Sequence, residues 1–222
     1  MLSKSGLLSL LSLLFTLLLL PAAVVAGKWT APPAAAIASA HPAATEAGIR
    51  ILRQGGNAFD AAVTVTAVLA VAEPYSSGIG GGGFYLLHKA AEGLTTMLDA
   101  RERAPFEATR DMYLDSNGEP TTASLEGPLS AGIPGIPAAL VELAIVHGRL
   151  PLQQTLQPAI EVAREGFAVD EHYRRMADMR LELLQRYPQT AAIFLHENRV
   201  QPRGRVMRRP DLARTLSLIS SY

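Results

Sequence analysis

Arg101, Glu102 and Arg103 stand in direct succession after the apolar segment Thr95–Ala100. Placed at the C-terminal end of a buried strand, such side chains emerge from a sheet into a crevice. Arginine grips a carboxylate through two parallel N–H···O bonds, a geometry that the lysine ammonium does not reproduce. Arg101 is therefore a candidate carboxylate anchor, and an ion pair with Glu102 or Asp99 is the competing account. Upstream lies Pro74–Gly83 (PYSSGIGGGG), with five glycines in the six residues 78–83. A dinucleotide loop needs a strand before its glycines and a helix after them, and a P-loop needs a following Lys-Ser/Thr. Here a helix precedes and a strand follows, so phosphate binding is set aside. The run reads instead as backbone that must come close to something, another chain segment or a ligand. Its amides are also available as an oxyanion hole.

Other candidate chemistry falls away. His41, His88, His147, His172 and His196 share no metal-ligand spacing, and neither HExxH nor GxSxG occurs. No metal and no cofactor is expected. The chain has no cysteine, which excludes disulfide frameworks, cysteine-ligated zinc and a thiol nucleophile. Arg199, Arg203, Arg205, Arg208 and Arg209 read as a solvated basic loop, because no aromatic residues interleave them. Lys+Arg number 20 against Asp+Glu 20, so no broad basic surface for nucleic acid is expected.

The elements that must position these residues follow from pattern. Ile37–Ala40 reads as a short first strand. Ala43–Gln54 reads as a helix with Ala44, Ala47, Ile49, Ile51 and Leu52 inward, ended by Gly55-Gly56. Asn57 caps a second helix, Ala58–Glu73, apolar nearly all round and therefore buried. Phe84–His88 and Thr95–Ala100 form a hairpin through Ala90–Leu94. A short helix is predicted at Ala108–Leu114, then a turn at Asp115–Pro120. Ser130–Pro137 is a second Gly/Pro loop leading into helix Ala138–His147. Helices are predicted at Leu152–Glu165, Asp170–Arg186 and Pro210–Ser220, a strand at Ala191–Leu195, and an Arg-rich loop at Asn198–Arg209.

The chain's 222 residues, 49% hydrophobic and 18% charged, suffice for a real core. Residues 1–26 are set apart as a secretory signal peptide. Lys4 supplies the positive start, Leu7–Leu20 the apolar run, and Val24-Val25-Ala26 a small-residue cleavage site. The run is about 14 residues, short of the roughly 20 that span a bilayer. The mature chain, 27–222, is expected to be exported, periplasmic or secreted, with no membrane association.

Four ordered motifs carry a resemblance: SAHPAATEAGIRILRQGGNAFDAAV at 39–63, EPYSSGIGGGGFYLL at 73–87, LDARERAPFEATRDMYLD at 98–115 and GPLSAGIPGIPAAL at 127–140. With PLQQTLQPAIEVAREGFAVDE at 151–171, they resemble the N-terminal part of the large subunit of γ-glutamyltransferases (glutathione hydrolases). Cephalosporin acylases and a capsule-processing transpeptidase are similar in the same region. The resemblance implies an α+β N-terminal-nucleophile hydrolase fold, a four-layer αββα sandwich. This chain would supply only its helix-rich N-terminal half.

The resemblance further implies a zymogen that cleaves itself and exposes a threonine, whose own α-amine is the base for attack on the γ-glutamyl carbonyl. The γ-glutamyl group of glutathione then passes to water, an amino acid or a peptide. Carried over by motif, Arg101 binds the α-carboxylate of that group. The family's threonine lies C-terminal to all these motifs, as does the glycine pair linked to its oxyanion hole. Thr45, Thr64, Thr66, Thr109, Thr121 and Thr122 match other parts of the large subunit, so none is taken as the nucleophile. The implied partners are glutathione or another γ-glutamyl compound and the C-terminal part, the small subunit. On this reading the chain is a fragment and is inactive alone. The alternatives are a non-catalytic exported remnant or binding module on the same scaffold, or a related acylase.

Overall fold

The computed structural model describes residues 35–222. The expected signal peptide, residues 1–26, lies outside the described residues, as do residues 27–34. Helix α1 (Pro42–Arg53) starts at His41, whose Nδ1 accepts the Ala43 N–H at 3.2 Å. Its inner face is Ala44, Ala47, Gly48 and Ile51, with Ile49 and Leu52 half-buried. Helix α2 (Ala58–Ala72) opens with a capping box: Asn57 Oδ1 accepts the Phe59 and Asp60 N–H groups, and Asp60 Oδ2 accepts the Asn57 N–H. Nine of its residues are buried, as its all-round apolar surface requires.

Helix α3 (Ile136–Glu142) runs into a π-helical turn, Leu143–His147, and helix α4 (Leu152–Glu165) lies against α2. The buried Thr64 hydroxyl, donating to Thr155 O at 2.7 Å, ties α2 to α4. Helix α8 (Pro210–Ser220) also packs against α4. The core draws on all of these, including Val63, Val68, Val71, Leu140, Leu143, Leu156 and Leu216. Between α2 and α3 the chain makes an antiparallel hairpin, β1 (Phe84–Lys89) and β2 (Leu94–Asp99), within a residue of expectation. The other strands among the described residues are two-residue ladders: β3 (Phe167–Ala168) with β6 (Val206–Met207), and β4 (Leu195–His196) with β5 (Arg199–Val200). The architecture is a helix-rich α+β assembly.

Five expectations are corrected. Ile37–Ala40 forms no strand and pairs with no other segment among the described residues. Ile37 instead lies over Gly48, whose missing Cβ would sit 2.6 Å from its Cδ1. Ala108–Leu114 is a series of turns rather than a helix, since the Tyr113 carbonyl is taken by the Thr121 N–H and hydroxyl. The helix predicted over 170–186 divides into α5 (Glu171–Asp178) and α6 (Leu181–Arg186). No Gly or Pro separates them; the bend turns Leu184 onto the core, a tertiary demand with no local signal. Finally, Ala191–Leu195 belongs mostly to helix α7 (Pro188–Phe194). Pro188 sits in its first turn, where a fixed φ and a missing N–H cost nothing, so it starts a helix as well as stopping one. The Arg-rich stretch is also less loop-like than expected. It carries β5 and β6, and Arg209 is half-buried with its guanidinium 4.7 Å from the Phe194 ring centroid.

A glycine-clamped arginine at the end of the hairpin

The hairpin ladder runs on past β1 and β2 into the glycines. Gly83 N–H donates to Ala100 O at 3.1 Å, and Ala100 N–H donates to Gly83 O at 2.9 Å. On its other edge the same strand meets the second Gly/Pro loop, with Arg103 and Ile133 exchanging N–H···O bonds of 3.0 and 2.8 Å. That loop also reaches the glycine run directly: Gly135 and Ile136 N–H groups both donate to Gly81 O, at 3.1 and 3.2 Å. The segment Ala100–Arg103 is thus held between two glycine-bearing segments.

The glycines are explained by how close these backbones come. A Cβ on Gly82 would lie 2.6 Å from Ala100 O, 2.6 Å from Glu102 Oε2 and 2.7 Å from Arg101 Cα. A Cβ on Gly135 would collide with the Ala100 carbonyl and lie 2.8 Å from Arg101 O. One on Gly132 would touch Glu102 Cβ at 3.0 Å. Of the two readings left open for the run, close approach to a chain segment is the one realised at Gly82. Gly80, by contrast, faces open space.

Arg101 emerges from this clamp half-exposed. Its backbone N–H donates to Asp99 Oδ1 at 2.9 Å, and its Nε lies 3.3 Å from Glu102 Oε2, with the two side chains 58% and 32% exposed. Its guanidinium carbon is 6.0 Å from the centroid of the Phe84 ring. Among the described residues its two Nη groups make no hydrogen bond. The ion pair with Glu102 therefore exists, yet it engages only the Nε edge and leaves the other donors able to take a carboxylate. Two clefts flank the segment. One of about 480 Å³ is lined by Ser76, Ser77, the glycines, Phe84, Tyr85 and Glu102. The other, about 350 Å³, is lined by Asp99, Arg101, Arg103, Ile133 and Glu142. Burial pushes the Tyr85 phenol up, with its oxygen 3.5 Å from Thr66 Oγ1.

The remaining candidates lie elsewhere. Thr64 is fully buried between α2 and α4, Thr45 meets Ser39 Oγ at 2.7 Å beside α1, and Thr121 caps a short 3₁₀ turn. His88 pairs with Thr95 at 2.9 Å, His172 with Arg175 and His196 with Arg205. Among the described residues no three His, Asp or Glu side chains converge as a metal site would require. Sequence reasoning missed the part played by Phe84, Gly132 and Gly135. The signal was present in the strand alternation, which puts Phe84 on the Arg101 face.

Comparison with known proteins sharpens this picture. The family model described as Gamma-glutamyltranspeptidase matches residues 44–222. A glutathione hydrolase proenzyme from Escherichia coli (strain K12) is 39% identical over 189 residues, which are 83% of this chain and 32% of that protein. The chain thus spans about a third of that relative's length. Among solved structures, the Helicobacter pylori gamma-glutamyltranspeptidase superposes with a TM-score of 0.81 at 35% identity, covering 84% of this chain and 54% of that one. A cephalosporin acylase from Bacillus halodurans superposes with a TM-score of 0.71 at 31% identity, covering 82% of this chain and 34% of that one. These matches place the fold among the N-terminal-nucleophile hydrolases.

Proposed function

The chain belongs to the gamma-glutamyltranspeptidase family, and from that premise we propose that it forms the N-terminal part of the large subunit of an exported γ-glutamyltransferase. The assembled enzyme transfers the γ-glutamyl group of glutathione, or of another γ-glutamyl compound, to water, amino acids or peptides. A threonine in the C-terminal part forms the acyl-enzyme. Arg101 in this chain holds the α-carboxylate of the donor.

The observation that carries this reading is the Arg101 guanidinium. Its backbone root is fixed by a glycine clamp, and its side chain, paired through Nε alone, is presented at the open end of a hairpin. A bidentate grip on a carboxylate needs just that free edge. The need for a second part is supported by the outer face of the hairpin, where Phe84, Leu86 and Met97 are 59%, 79% and 63% exposed. An apolar sheet face of this kind requires a covering layer. Export rests on the leader-like residues 1–26. Among the described residues no helix is long and apolar enough to cross a membrane.

The test is Arg101→Lys in the assembled enzyme, meaning this chain together with its C-terminal part. Loss of one charge-assisted bidentate contact costs on the order of 2–3 kcal/mol, about a 30- to 150-fold rise in KM for a γ-glutamyl anilide. Self-cleavage engages no α-carboxylate and should proceed as before. An unchanged KM returns Arg101 to a structural ion pair. The similarity to cephalosporin acylase supports a second reading, a related acylase. In that case substrates lacking an α-amino-acid head would be hydrolysed, and Arg101→Lys would leave their turnover unaltered.

A further inference from the structure

Strand register explains what stands beside Arg101. In the hairpin Phe84 faces Asp99 and Leu86 faces Met97, so Phe84, Leu86, Met97 and Asp99 share one face. Mutual Gly83–Ala100 hydrogen bonds carry the register one step further and set Gly82 opposite Arg101. Gly82 has no side chain, so the same-face neighbour of Arg101 is the diagonal one, Phe84. Diagonal pairs are within reach of aromatic and long side chains. The 6.0 Å from the guanidinium carbon to the ring centroid fits that placement.

We propose that Phe84 is a positioning residue for Arg101, its ring serving as the platform on which the guanidinium lies. The proposal rests on the reading of Arg101 as the α-carboxylate anchor. The two neighbours flank the guanidinium: Glu102 takes the Nε edge at 3.3 Å, and the guanidinium carbon stands over the Phe84 ring, 6.0 Å from its centroid. What remains is the Nη edge, the part that a substrate carboxylate would grip. An aromatic face suits this task because its quadrupole attracts the cation without offering a hydrogen-bond acceptor that would compete for those donors. A carboxylate in the same place would occupy them. An aliphatic side chain would fill the volume and leave the cation unattracted.

The rival account makes Phe84 only an apolar sheet residue awaiting the covering layer, as Leu86 and Met97 are. Leucine would then serve equally well. The two accounts separate in the assembled enzyme with Phe84→Leu and Phe84→Tyr, each alone and combined with Arg101→Gln. KM and kcat for a γ-glutamyl anilide and the extent of self-cleavage are measured. At an exposed site a cation–π contact corresponds to about a two- to fivefold change in binding. Phe84→Leu should therefore raise KM about two- to fivefold, with kcat and self-cleavage unchanged. Phe84→Tyr, which keeps the ring, should restore the original KM. In the Arg101→Gln background, where no cation remains for the ring to attract, Phe84→Leu should add nothing further. An unchanged KM in Phe84→Leu, an equal rise in both backgrounds, or a loss of kcat and self-cleavage without a KM effect overturns the proposal while leaving Arg101 as anchor. If Arg101→Lys itself leaves KM unchanged, the anchor reading fails first and the platform role with it.

Discussion

Gly82 and Gly80 sit two residues apart in one glycine run and should respond in opposite ways to alanine. For Gly82 the added Cβ would lie 2.6 Å from the Ala100 carbonyl oxygen, 2.6 Å from Glu102 Oε2 and 2.7 Å from Arg101 Cα. Ordinary van der Waals contact begins near 3.4 Å, so the backbones must part by roughly 0.8 Å. Glu102 can rotate aside, but the Ala100 oxygen cannot: it already accepts the Gly83 N–H at 3.1 Å, and parting the strands breaks that bond. Overpacking costs roughly 1–3 kcal/mol and the lost hydrogen bond about 1. Gly82→Ala should therefore destabilise by about 2–4 kcal/mol. In a unit of about 150–250 residues that lowers the thermal midpoint by on the order of 10 °C, and by less in the larger assembled enzyme.

Gly80→Ala meets nothing within 4 Å and requires no forbidden φ. It should be neutral, or stabilising by up to about 1 kcal/mol through the unfolded chain's lost freedom. Scanning calorimetry of the assembled enzyme at one scan rate, with KM for a γ-glutamyl anilide alongside, checks both. Gly82→Ala should also raise KM, because the displaced strand is the one that carries Arg101. Equal midpoints for the two variants, or a destabilised Gly82→Ala with wild-type KM, would refute the claim that the clamp exists to place Arg101.

Three further outcomes follow from the same geometry. Asp60→Ala removes a fully buried carboxylate that accepts N–H groups from Asn57 at 2.8 Å, Arg149 at 3.0 Å and Leu150 at 3.3 Å; losing the cap and orphaning those donors should cost about 3–5 kcal/mol in a denaturant titration. Burial pushes the Tyr173 phenol up to about 12, so the folded state keeps a proton that the unfolded state releases above pH 10. Stability should be fully present below pH 10 and fall from there toward pH 12, by up to about 2–3 kcal/mol. Tyr173→Phe should flatten that decline, and a titration with identical slopes in both proteins would count against it. Leu86→Lys with Met97→Lys should raise the solubility of isolated residues 27–222, measured by light scattering, since both side chains face outward on an uncovered sheet.

What could be read in the sequence was whatever local chemistry determines. Asn57 and Asp60, three residues apart, announce the start of α2. Gly166, at φ 96°, ends α4 where glycine alone is at ease. The Phe84 and Thr95 runs declare a hairpin by their apolar character and the turn between them. The break at Met179–Arg180, the helix beginning at Pro188 and the turns after Ala108 were illegible for one shared reason. Each is set by what the segment packs on or bonds to later in the chain, as Thr121 bonds back to Tyr113. At the site, the type of Arg101 and its place at a strand end were readable, and so was the demand for close backbone approach. The identity of the approached segment was not, because the partner glycines Gly132 and Gly135 lie about 30 residues downstream of Arg101 with no pattern linking them to it.

Magnitudes explain why backbone, rather than an ion pair, has to fix Arg101. Ordering a long arginine side chain costs up to about 2 kcal/mol of rotamer entropy. The Glu102 pair, with side chains 58% and 32% exposed, returns at most about 1 kcal/mol. A platform contact with Phe84 adds roughly 0.5–1. Together these only just balance the entropy, so they steer the guanidinium without locking it. What is locked is its origin: Ala100 is 4% exposed, hydrogen-bonded to Gly83 on one edge, and followed within three residues by the Arg103–Ile133 pair on the other. In the proposed anchor role, a rigid root with a lightly held tip would let the side chain adjust to an incoming carboxylate at little cost. Replacing the tip, as in Arg101→Lys, should then cost binding and not stability. Replacing a root glycine should cost both.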